Sequence, residues 1–238
     1  MTHPVELTVA LPAYEEGPNL ADLLPVLRNV LDGLHIPYEI IVADTPEPRD
    51  RTPEICAENG VRYVPRAGGL LYSHAVTTAI AASRGRWVVF MDADGSHEPA
   101  QVGRLWAERH AADLVIASRY TAGGSTENPA VLIAMSHVVN IVFRLVLGLT
   151  CADVSNSFRL YRGDDLRALD LQCANFDIVE EILVKLCFSR EGYSVKEIPS
   201  TFSQRRSGKT KRDLRAFALS YVATLKRLHA LKRQMARR

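Results

Sequence analysis

Short apolar runs of strand length recur along the first half of the chain, with helical patterns between them. The runs are mostly aliphatic and comprise Leu7 to Leu11, Glu39 to Val42, Val61 to Val64, Trp87 to Met91 and Leu114 to Ala117. Continuous apolar character is typical of strands buried on both faces of a parallel sheet. The helical patterns are Asn19 to Leu34, Leu70 to Ser83 and Pro99 to His110. This alternation predicts an α/β fold with a Rossmann-like, mostly parallel sheet flanked by helices.

Polar residues cluster where three of these runs end, at Pro12 to Glu16, Asp44 and Asp92 to Ser96. Ligands of such sheets bind beyond the carboxyl ends of the strands, so the three clusters are predicted to meet in one crevice. Strand alternation would send Asp92 and Asp94 to the same side. Two carboxylates suit Mg2+ or Mn2+, which complete their shells with water and substrate phosphates. The pair predicts a nucleotide-diphosphate ligand; the alternative is a solvated turn, because Asp favours turns.

The composition allows one large domain or two small ones, because 238 residues with 47% hydrophobic content can bury a substantial core. The four cysteines form no C-x-x-C pair and the N-terminus does not resemble a signal peptide, so a cytoplasmic location is expected. From Arg205 onward the chain has 12 Lys or Arg and one acid, Asp213, which predicts an anionic partner. Nucleic acid is not expected, since no reader motif is present.

Two segments of the second half are candidate membrane-contacting helices. Pro129 to Leu149 is strongly apolar, but four polar residues between Ser136 and Arg144 interrupt it, which favours a buried or membrane-resting helix over a spanning one. Asp213 to Met235 combines an apolar face with surrounding Lys and Arg residues. This pattern predicts a basic amphipathic helix that rests on anionic lipid or, alternatively, a packing helix with a solvated basic tail.

Seven motifs also occur in the order found in one family of enzymes. They are Leu11 to Glu16 with Asn19-Leu20, Ile41 to Asp44 with Asp50-Arg51-Thr52, Met91 to Asp94, Ser118-Arg119-Tyr120, Asp153 with Ser157-Phe158-Arg159, Phe176 with Glu181, and Arg205 to Lys209. Through them, residues 5 to about 212 resemble the family 2 inverting glycosyltransferases, in particular the dolichyl- or polyprenyl-phosphate mannosyltransferase branch. The resemblance implies a GT-A type fold in one domain, 1–212, with a nucleotide-sugar-binding half, 1–120, and a more helical acceptor-side half, 121–212. The amphipathic helix, 213–238, follows it.

The resemblance also implies which residues bind a GDP- or UDP-hexose donor. Asp44 is expected to contact the nucleoside, Asp92 to lie against the donor, and Asp94 to be the main ligand of Mg2+ or Mn2+, with Asp92 beside it. The full donor-binding set is Pro12, Tyr14, Glu16, Asp44, Asp92 and Ala93. A bound cation would stabilise the negative charge that develops on the leaving nucleoside diphosphate.

The expected acceptor is a polyprenyl phosphate, whose oxygen is already an anionic nucleophile and needs no strong base. Cationic side chains must instead hold the phosphate, and the candidates are Arg119, Arg159, Arg205 and Lys209. Two alternatives stay open: Arg119 and Arg159 as buried partners of Asp113 or Asp153, and the basic loop as a solvated segment.

The expected catalytic set is Asp92, Asp94, Arg119 and Glu181. Glu181 is a candidate to orient an arginine or to act as a base for a hydroxyl acceptor, with a surface glutamate as the alternative. His97 follows the acidic pair closely, but a residue at the start of a helix is the favoured interpretation.

The chain departs from the family pattern at several positions. Ala43 replaces one of two acids after the second strand, and the loop that follows is longer and contains prolines. Glu15 stands where asparagine is common, and Ser96 where some relatives use a glutamine metal ligand. The C-terminal membrane helices of many relatives are not expected here.

Three functions are therefore considered. The first is metal-dependent inverting transfer of a hexose, plausibly mannose from GDP-mannose, to a polyprenyl phosphate at the cytoplasmic membrane face, with the basic helix as a peripheral membrane contact. The second is the same donor chemistry on a soluble hydroxyl compound or glycan. The third is a nucleotide-sugar-binding protein without catalysis, motivated by Ala43 and the altered loops.

Overall fold

The computed structural model describes residues 5–173, 176–204 and 214–235, with side chains of the last range described from Tyr221 onward. The strands are β1 Leu7–Pro12, β2 Tyr38–Asp44, β3 Arg62–Pro65, β4 Trp87–Phe90, β5 Leu114–Ser118, β6 Ser125–Thr126, β7 Arg159–Arg162, β8 Val195–Pro199 and β9 Thr201–Phe202. The helices are α1 Gly17–Asp32, α2 Thr52–Glu58, α3 Tyr72–Ala82, α4 Ala100–Ala107, α5 Ala130–Leu147, α6 Gly163–Arg167, α7 Ile178–Cys187 and α8 Leu214–Met235.

The main sheet has seven strands in the order β3-β2-β1-β4-β7-β5-β8. All neighbours pair in parallel except β7, which is antiparallel to both β4 and β5. This arrangement confirms the predicted mostly parallel α/β fold. The sequence analysis did not identify β7, because Arg159–Arg162 carries an arginine at each end and lacks the apolar run of the other strands. It also missed the seven-residue helix α2, which follows the proline-containing loop.

Helices cover both faces of the sheet, as expected for parallel strands buried on both sides. On one face, α1, α2 and α4 pack against residues such as Val9, Val42 and Val89. On the other face, α3, α5, α6, α7 and α8 pack against residues such as Val88 and Ile116. The carboxyl ends of β1, β2 and β4 therefore lie between two helical layers, at one edge of the sheet.

The apolar helix α5 is mostly exposed, which contradicts the buried alternative for this segment and leaves the membrane-resting one as a prediction. Only Asn140, Phe143 and Leu147 are buried, whereas Leu145 is 79% exposed and Val131 is 67% exposed. By length and composition, α5 could cross a membrane, with a mean hydropathy of 2.1 and 17% of its residues buried. Its buried side is fixed to the domain, so the helix lies along the sheet face.

The C-terminal helix α8 docks on this layer. Leu228 is fully buried, and the Thr224 hydroxyl donates a hydrogen bond to Asp177 before α7 at 2.9 Å. Lys232 Nζ donates to the carbonyl oxygen of Leu147 at the end of α5, at 2.6 Å. The helix is thus part of the packed domain along one side, while Lys226 and Arg233 are exposed on another.

Candidate functional site

The loop after β1 is tied to the loop after β2. Arg49 Nη1 lies 2.8 Å from the Tyr14 hydroxyl, and its guanidinium carbon is 5.5 Å from the centre of the Tyr14 ring. Glu15 adopts a left-handed backbone with φ of 56°, a conformation that asparagine tolerates better than glutamate. This geometry accounts for the asparagine expected at position 15. Glu16, before α1, is largely buried and accepts a 2.6 Å hydrogen bond from Asn19.

Asp50 holds the start of two helices beside this loop. Its carboxylate accepts hydrogen bonds from the backbone N–H of Gly17 at 2.8 Å and of Thr52 at 3.0 Å. Carboxylates at helix N-termini satisfy backbone donors that otherwise lack partners. Burial opposes the charge of Asp50, but these hydrogen bonds outweigh it and lower the pKa of the carboxyl. Asp50 therefore fixes α1 and α2 relative to each other.

Asp44, at the end of β2, is a fully buried carboxylate. No side chain among the residues that the structure describes hydrogen-bonds to its oxygens, and the backbone N–H of the adjacent Thr45 is the one hydrogen-bond donor there that favours its charge. Burial raises the pKa of this carboxyl. Buried polar groups are nearly always satisfied, so an acceptor without a side-chain partner at the ligand-binding edge of the sheet points to a donor supplied by a ligand.

Ala43 packs on the opposite side of β2 from the crevice. It is fully buried in the cluster that contains Ala75 and Ala79 of α3. An acid at this position would enter that apolar layer, so the Ala43 departure does not remove a group from the crevice. The third hypothesis, a protein without catalysis, loses its main motivation.

Arg66, just beyond β3, binds the walls of the same crevice. Its guanidinium donates to the carbonyl oxygens of Asp44, Leu70 and Leu71 at 3.0, 2.9 and 3.2 Å, and also to that of Ala13. The residue is only 4% exposed. The sequence analysis missed it, although an arginine directly after a strand and before a Gly-Gly loop was a usable signal.

Asp92 and Asp94 lie after β4, which ends at Phe90, so strand alternation is the wrong reason for grouping them. Asp94 belongs to a bend in which its Oδ1 accepts hydrogen bonds from the Ser96 N–H at 3.0 Å and the Ser96 hydroxyl at 2.6 Å. Gly95 has φ of 81°, which permits this tight turn. Both aspartates are half-buried. Ser96 therefore shapes the acidic loop by orienting Asp94.

The buried ring of His97 holds the backbone of Asp92 in place. Its Nδ1 accepts a 3.0 Å hydrogen bond from the Asp92 N–H, so the neutral ring carries its proton on Nε2, which lies 3.9 Å from Asp92 Oδ2. Burial lowers the pKa of His97, which keeps the ring neutral. The ring stacks on Phe158 at 4.5 Å. His97 precedes α4, as expected, but as a buried support for the acidic loop.

Ser157 fixes the carboxylate of Asp92. Its hydroxyl donates a 3.0 Å hydrogen bond to Asp92 Oδ1. The sequence placed Ser157 in a motif without a role. The structure shows that this motif, which begins the antiparallel strand β7, reaches back to the loop after β4.

Arg119 forms a buried ion pair with Asp153, as one alternative proposed. Its Nε and Nη2 bind the two carboxylate oxygens at 2.9 and 2.7 Å, and Nη2 also reaches Ser155 at 3.0 Å. Burial opposes the charge, but Asp153 outweighs it and raises the pKa of Arg119. Among the described residues, Nη1 makes no hydrogen bond. Arg119 lies 5.6 Å from the Phe202 ring, which also contacts His97, so this cation adjoins the acidic loop.

Arg159 does not reach the crevice. It is fully buried, and its guanidinium donates to the carbonyl oxygens of Val179 at 3.2 Å and Val154 at 2.5 Å. Contact with an acceptor phosphate would require the loss of these hydrogen bonds and of the surrounding packing. The structure therefore does not support Arg159 as a phosphate ligand and places it as a link between β7 and α7.

Glu181 is also internal, which contradicts the surface alternative and gives no support to a role as base. Its carboxylate accepts hydrogen bonds from the N–H of Gln172 at 3.1 Å and of Cys173 at 2.7 Å, and pairs with Lys185 at 2.7 Å. Burial favours the neutral acid, but these partners outweigh it and lower the pKa. The Glu181 side chain is 0% exposed, so it anchors the loop before α7.

Arg205 and Lys209 lie outside the described residues. The chain that leads to them is held beside the acidic loop, because the Ser203 N–H donates to the Ser96 carbonyl at 2.9 Å and Phe202 forms a bridge with His97. Gln204 is fixed by Glu127 at 3.1 Å. The described chain thus runs beside the acidic loop at Phe202 and Ser203, shortly before the basic segment.

The structure therefore brings together Pro12, Tyr14, Glu16, Asp44, Asp92, Ala93, Asp94 and Arg119 at one edge of the sheet. In the described part of the chain, no group of three or more His, Cys, Asp or Glu residues is arranged to hold a metal by itself. One or two half-buried carboxylates nevertheless fit Mg2+ or Mn2+, which take their remaining oxygens from phosphate and water. Asp94 and Asp92 are the residues that would hold the ion.

Comparison with known sequences identifies close parallels. The profile of the family described as Glycosyl transferase family 2 matches residues 8–169. The chain is 32% identical over 215 residues to the dolichol-phosphate mannosyltransferase of Pyrococcus furiosus, which covers 87% of this chain and 59% of that protein. It is 39% identical over 131 residues to the undecaprenyl-phosphate mannosyltransferase of Micrococcus luteus, which covers 52% of each. The chain thus spans little more than half the length of these two relatives.

A third relative is covered more fully. The polyprenol monophosphomannose synthase of Mycolicibacterium smegmatis is 30% identical over 221 residues, covering 85% of this chain and 79% of that protein. Among solved structures, glucosyl-3-phosphoglycerate synthase from Mycobacterium tuberculosis, crystallised with Mn2+, UDP and glucosyl-3-phosphoglycerate, superposes with a TM-score of 0.69. It is 20% identical and covers 95% of this chain and 80% of that one. The likeness confirms the GT-A type fold.

Proposed function

The chain belongs to glycosyl transferase family 2, and on that premise we propose that it transfers a hexose, plausibly mannose from GDP-mannose, to a polyprenyl phosphate with inversion. The observation that carries the proposal is the buried Asp44 carboxylate, which has no side-chain partner among the described residues, at the same sheet edge as Asp92 and Asp94. A nucleoside satisfies the first, and a diphosphate with its cation satisfies the other two.

The donor half of the proposal uses residues in distinct roles. Asp44 accepts hydrogen bonds from the N–H groups of the base, while Tyr14 and Arg49 close the crevice above it. Because Asp44 is covered, ligand entry must displace part of this loop. Asp94 and Asp92 would hold the metal, which would in turn bind the donor phosphates, and Ser96, His97 and Ser157 set the positions of these two carboxylates. When bound, Mg2+ or Mn2+ stabilises the negative charge on the departing nucleoside diphosphate.

The proposed acceptor site is argued from the position of the cations and from the burial of Glu181, which is therefore not placed to act as a base. A phosphate monoester needs no proton removed, and the Arg119 guanidinium, next to Phe202 and the acidic loop, is proposed to bind the acceptor anion. Arg205 and Lys209 are proposed to complete this phosphate site, since they follow Ser203, whose N–H binds the Ser96 carbonyl. The three relatives that share 30% to 39% identity with this chain are a dolichol-phosphate mannosyltransferase, an undecaprenyl-phosphate mannosyltransferase and a polyprenol monophosphomannose synthase, which supports a polyprenyl phosphate. A hydroxyl acceptor is less well supported, because Glu181 is enclosed.

We further propose that α5 rests on the cytoplasmic face of a membrane and brings the crevice to its lipid substrate. Leu145, Val131 and Val138 are 79%, 67% and 61% exposed. The neighbouring helix α8 presents exposed Lys226 and Arg233, which suit anionic headgroups. The sequence analysis named both segments as candidates for membrane contact, and the proposal combines them, with the apolar contribution from α5 and the basic one from α8.

The test is an assay of purified protein with labelled GDP-mannose and UDP-glucose, Mn2+ and a polyprenyl phosphate in detergent or vesicles. We expect an acid-labile lipid-linked hexose from one donor, and loss of product with EDTA. Asp94→Asn serves as the inactive control, and Val26→Ala, on the far layer, as an active one. A preparation that binds nucleotide sugar but glycosylates only soluble acceptors would overturn the acceptor assignment. No transfer with any common donor would overturn the whole proposal.

A further inference from the structure

The crevice contains a buried cation whose hydrogen bonds all go to main-chain oxygens. The carbonyls that Arg66 binds belong to three separate segments: Ala13 after β1, Asp44 at the end of β2, and Leu70 with Leu71 before α3. No carboxylate among the described residues pairs with Arg66. A guanidinium in this position fixes three chain segments at once, because its planar fork has donors in fixed directions.

The same cation lies next to the Asp44 carboxylate, which has no side-chain partner among the described residues. Arg66 Nε is 3.0 Å from the Asp44 carbonyl oxygen, and its positive charge favours the ionised form of the Asp44 side chain. Asp50 and Glu15, which also face Asp44, disfavour that form. Tyr63 of β3 and Cys56 of α2 adjoin it as neutral groups, since burial raises both pKa values to about 12.

We propose that Arg66 is a positioning residue for the donor: it holds the three segments that wall the nucleoside crevice and thereby fixes the end of β2, from which Asp44 accepts hydrogen bonds from the base. The inference rests on the proposed function, since it assigns a nucleoside to this crevice. It concerns binding of the donor and not the transfer step, because Arg66 touches neither the acidic loop nor Arg119.

Geometry separates this role from simple packing. The Arg66 guanidinium carbon also lies 6.0 Å from the centre of the Tyr14 ring, to which that of Arg49 lies at 5.5 Å. Arg66 therefore contacts both the loop after β1, which is proposed to frame the base, and Asp44. A cation that served only the fold would have no reason to contact both.

A matched control exists on the same strand. Arg62, at the start of β3, binds Glu39 at 2.7 Å and the Ala82 carbonyl at 2.6 Å, away from the ligand-binding edge. Arg62→Gln removes two hydrogen bonds, one of them to a carboxylate, from the other end of β3, so it reports the cost of losing an arginine away from the crevice. We compare it with Arg66→Gln and with Arg66→Lys, which keeps the charge but loses the fork.

The experiment is calorimetric titration of the full chain with GDP and with UDP in the presence of Mn2+, at about pH 6 and about pH 8, alongside steady-state kinetics. For whichever nucleotide binds, Arg66→Gln is expected to weaken binding by about tenfold or more and to raise the donor KM by a similar factor, with kcat within about threefold. The loss should be greater at about pH 6, because Asp44 protonates more readily without the cation. Arg66→Lys should restore the pH dependence more than the affinity, and Arg62→Gln should stay within about twofold of the parent protein.

Failure of this inference is distinguishable from failure of the proposed function. If the unmodified protein binds neither nucleotide, the proposed function fails first. If it binds one of them and Arg66→Lys, folded by circular dichroism, binds equally well, only the inference is overturned. It is also overturned if Arg62→Gln weakens binding as much as Arg66→Gln does, or if neither Arg66 variant folds, since Arg66 is then a folding residue.

Discussion

The proposed donor-side acids and the proposed acceptor-side cations of this protein differ in how far protein partners satisfy their charges. Asp44 is covered by the protein but has no side-chain hydrogen-bond partner among the described residues, and the Asp92 side chain remains 29% exposed. Arg159 and most of Arg119 are instead enclosed by protein acceptors. Groups left unsatisfied are arranged for a ligand, whereas satisfied buried ions hold the fold together.

The sharpest way to break this comparison is at Asp94. Asp94→Asn is expected to lower the transfer rate by about a thousandfold, because loss of a metal-binding carboxylate removes several kcal/mol of charge stabilisation in the transition state. The melting temperature should change little, since the side chain is half-buried and Ser96 can still bind the amide. Radiolabel transfer and thermal unfolding measure the two effects. A rate within about tenfold of the parent would place the metal elsewhere.

The buried ion pair on the acceptor side should show the reverse pattern. Asp153→Asn leaves Arg119 without its bidentate partner and is expected to destabilise the fold by about 3–5 kcal/mol, as measured by urea unfolding. Glu108→Gln is the matched control, because it breaks the exposed pair with Lys196, at 2.7 Å, and should cost less than about 1 kcal/mol. Equal effects would show that burial does not distinguish the two pairs.

Glu180 on α7 tests an acid that is enclosed in the core, where Tyr221 is a hydrogen-bond partner. It is 1% exposed, and burial raises its pKa to about 7 despite the nearby Arg159. In the unfolded chain the group ionises near its ordinary value of 4.5, so folding stability falls as the pH rises from about 4.5 to about 7. Glu180→Gln should remove this dependence and stabilise the protein at pH 7 and above by about 3 kcal/mol. Chemical unfolding at several pH values measures it; parallel pH profiles for both proteins would contradict it.

Asp44 is both a buried charge that lowers stability and a group that is proposed to bind the nucleotide. Asp44→Asn should raise the melting temperature at pH 7 by a few degrees, because the pKa of this carboxyl is raised by burial and its ionisation therefore costs stability at neutral pH. The same variant should bind nucleotide at least about tenfold more weakly. Differential scanning calorimetry with and without GDP or UDP separates the effects. A lower melting temperature would mean that the carboxylate has a structural partner.

The smallest expected effect concerns the exposed face of α5. Leu145→Glu should reduce binding to vesicles of anionic phospholipid by about tenfold without a loss of stability, because the side chain is 79% exposed. Val26→Glu on α1, which is 51% exposed on the opposite layer, is the control and should bind as the parent does. Vesicle co-sedimentation measures both. Equal binding of the two variants would remove α5 from the proposed membrane contact.

The sequence predicted the first half of the fold well because its strands are continuous apolar runs and its helices keep a regular period. It missed β7, because Arg159 and Arg162 at the ends of this strand interrupt the apolar pattern. It also grouped Asp92 with Asp94 by strand alternation, which does not apply because β4 ends at Phe90. The candidate acids were identified because motifs mark the ends of strands. The roles predicted for Arg159 and Glu181 were not supported, because the sequence does not show which groups a charged side chain contacts inside the fold.

Local chemistry and periodicity by themselves determined the α/β architecture, the family and the edge of the sheet at which Asp44, Asp92 and Asp94 gather. These properties follow from residue order along single strands and loops. Only the tertiary structure decided that Asp44 has no side-chain partner among the described residues, that Arg66 binds three segments far apart in the chain, and that Arg119 forms an ion pair with Asp153. Such assignments depend on contacts between residues far apart in the chain, and the free energy of a charged group is set by those neighbours and not by its own identity.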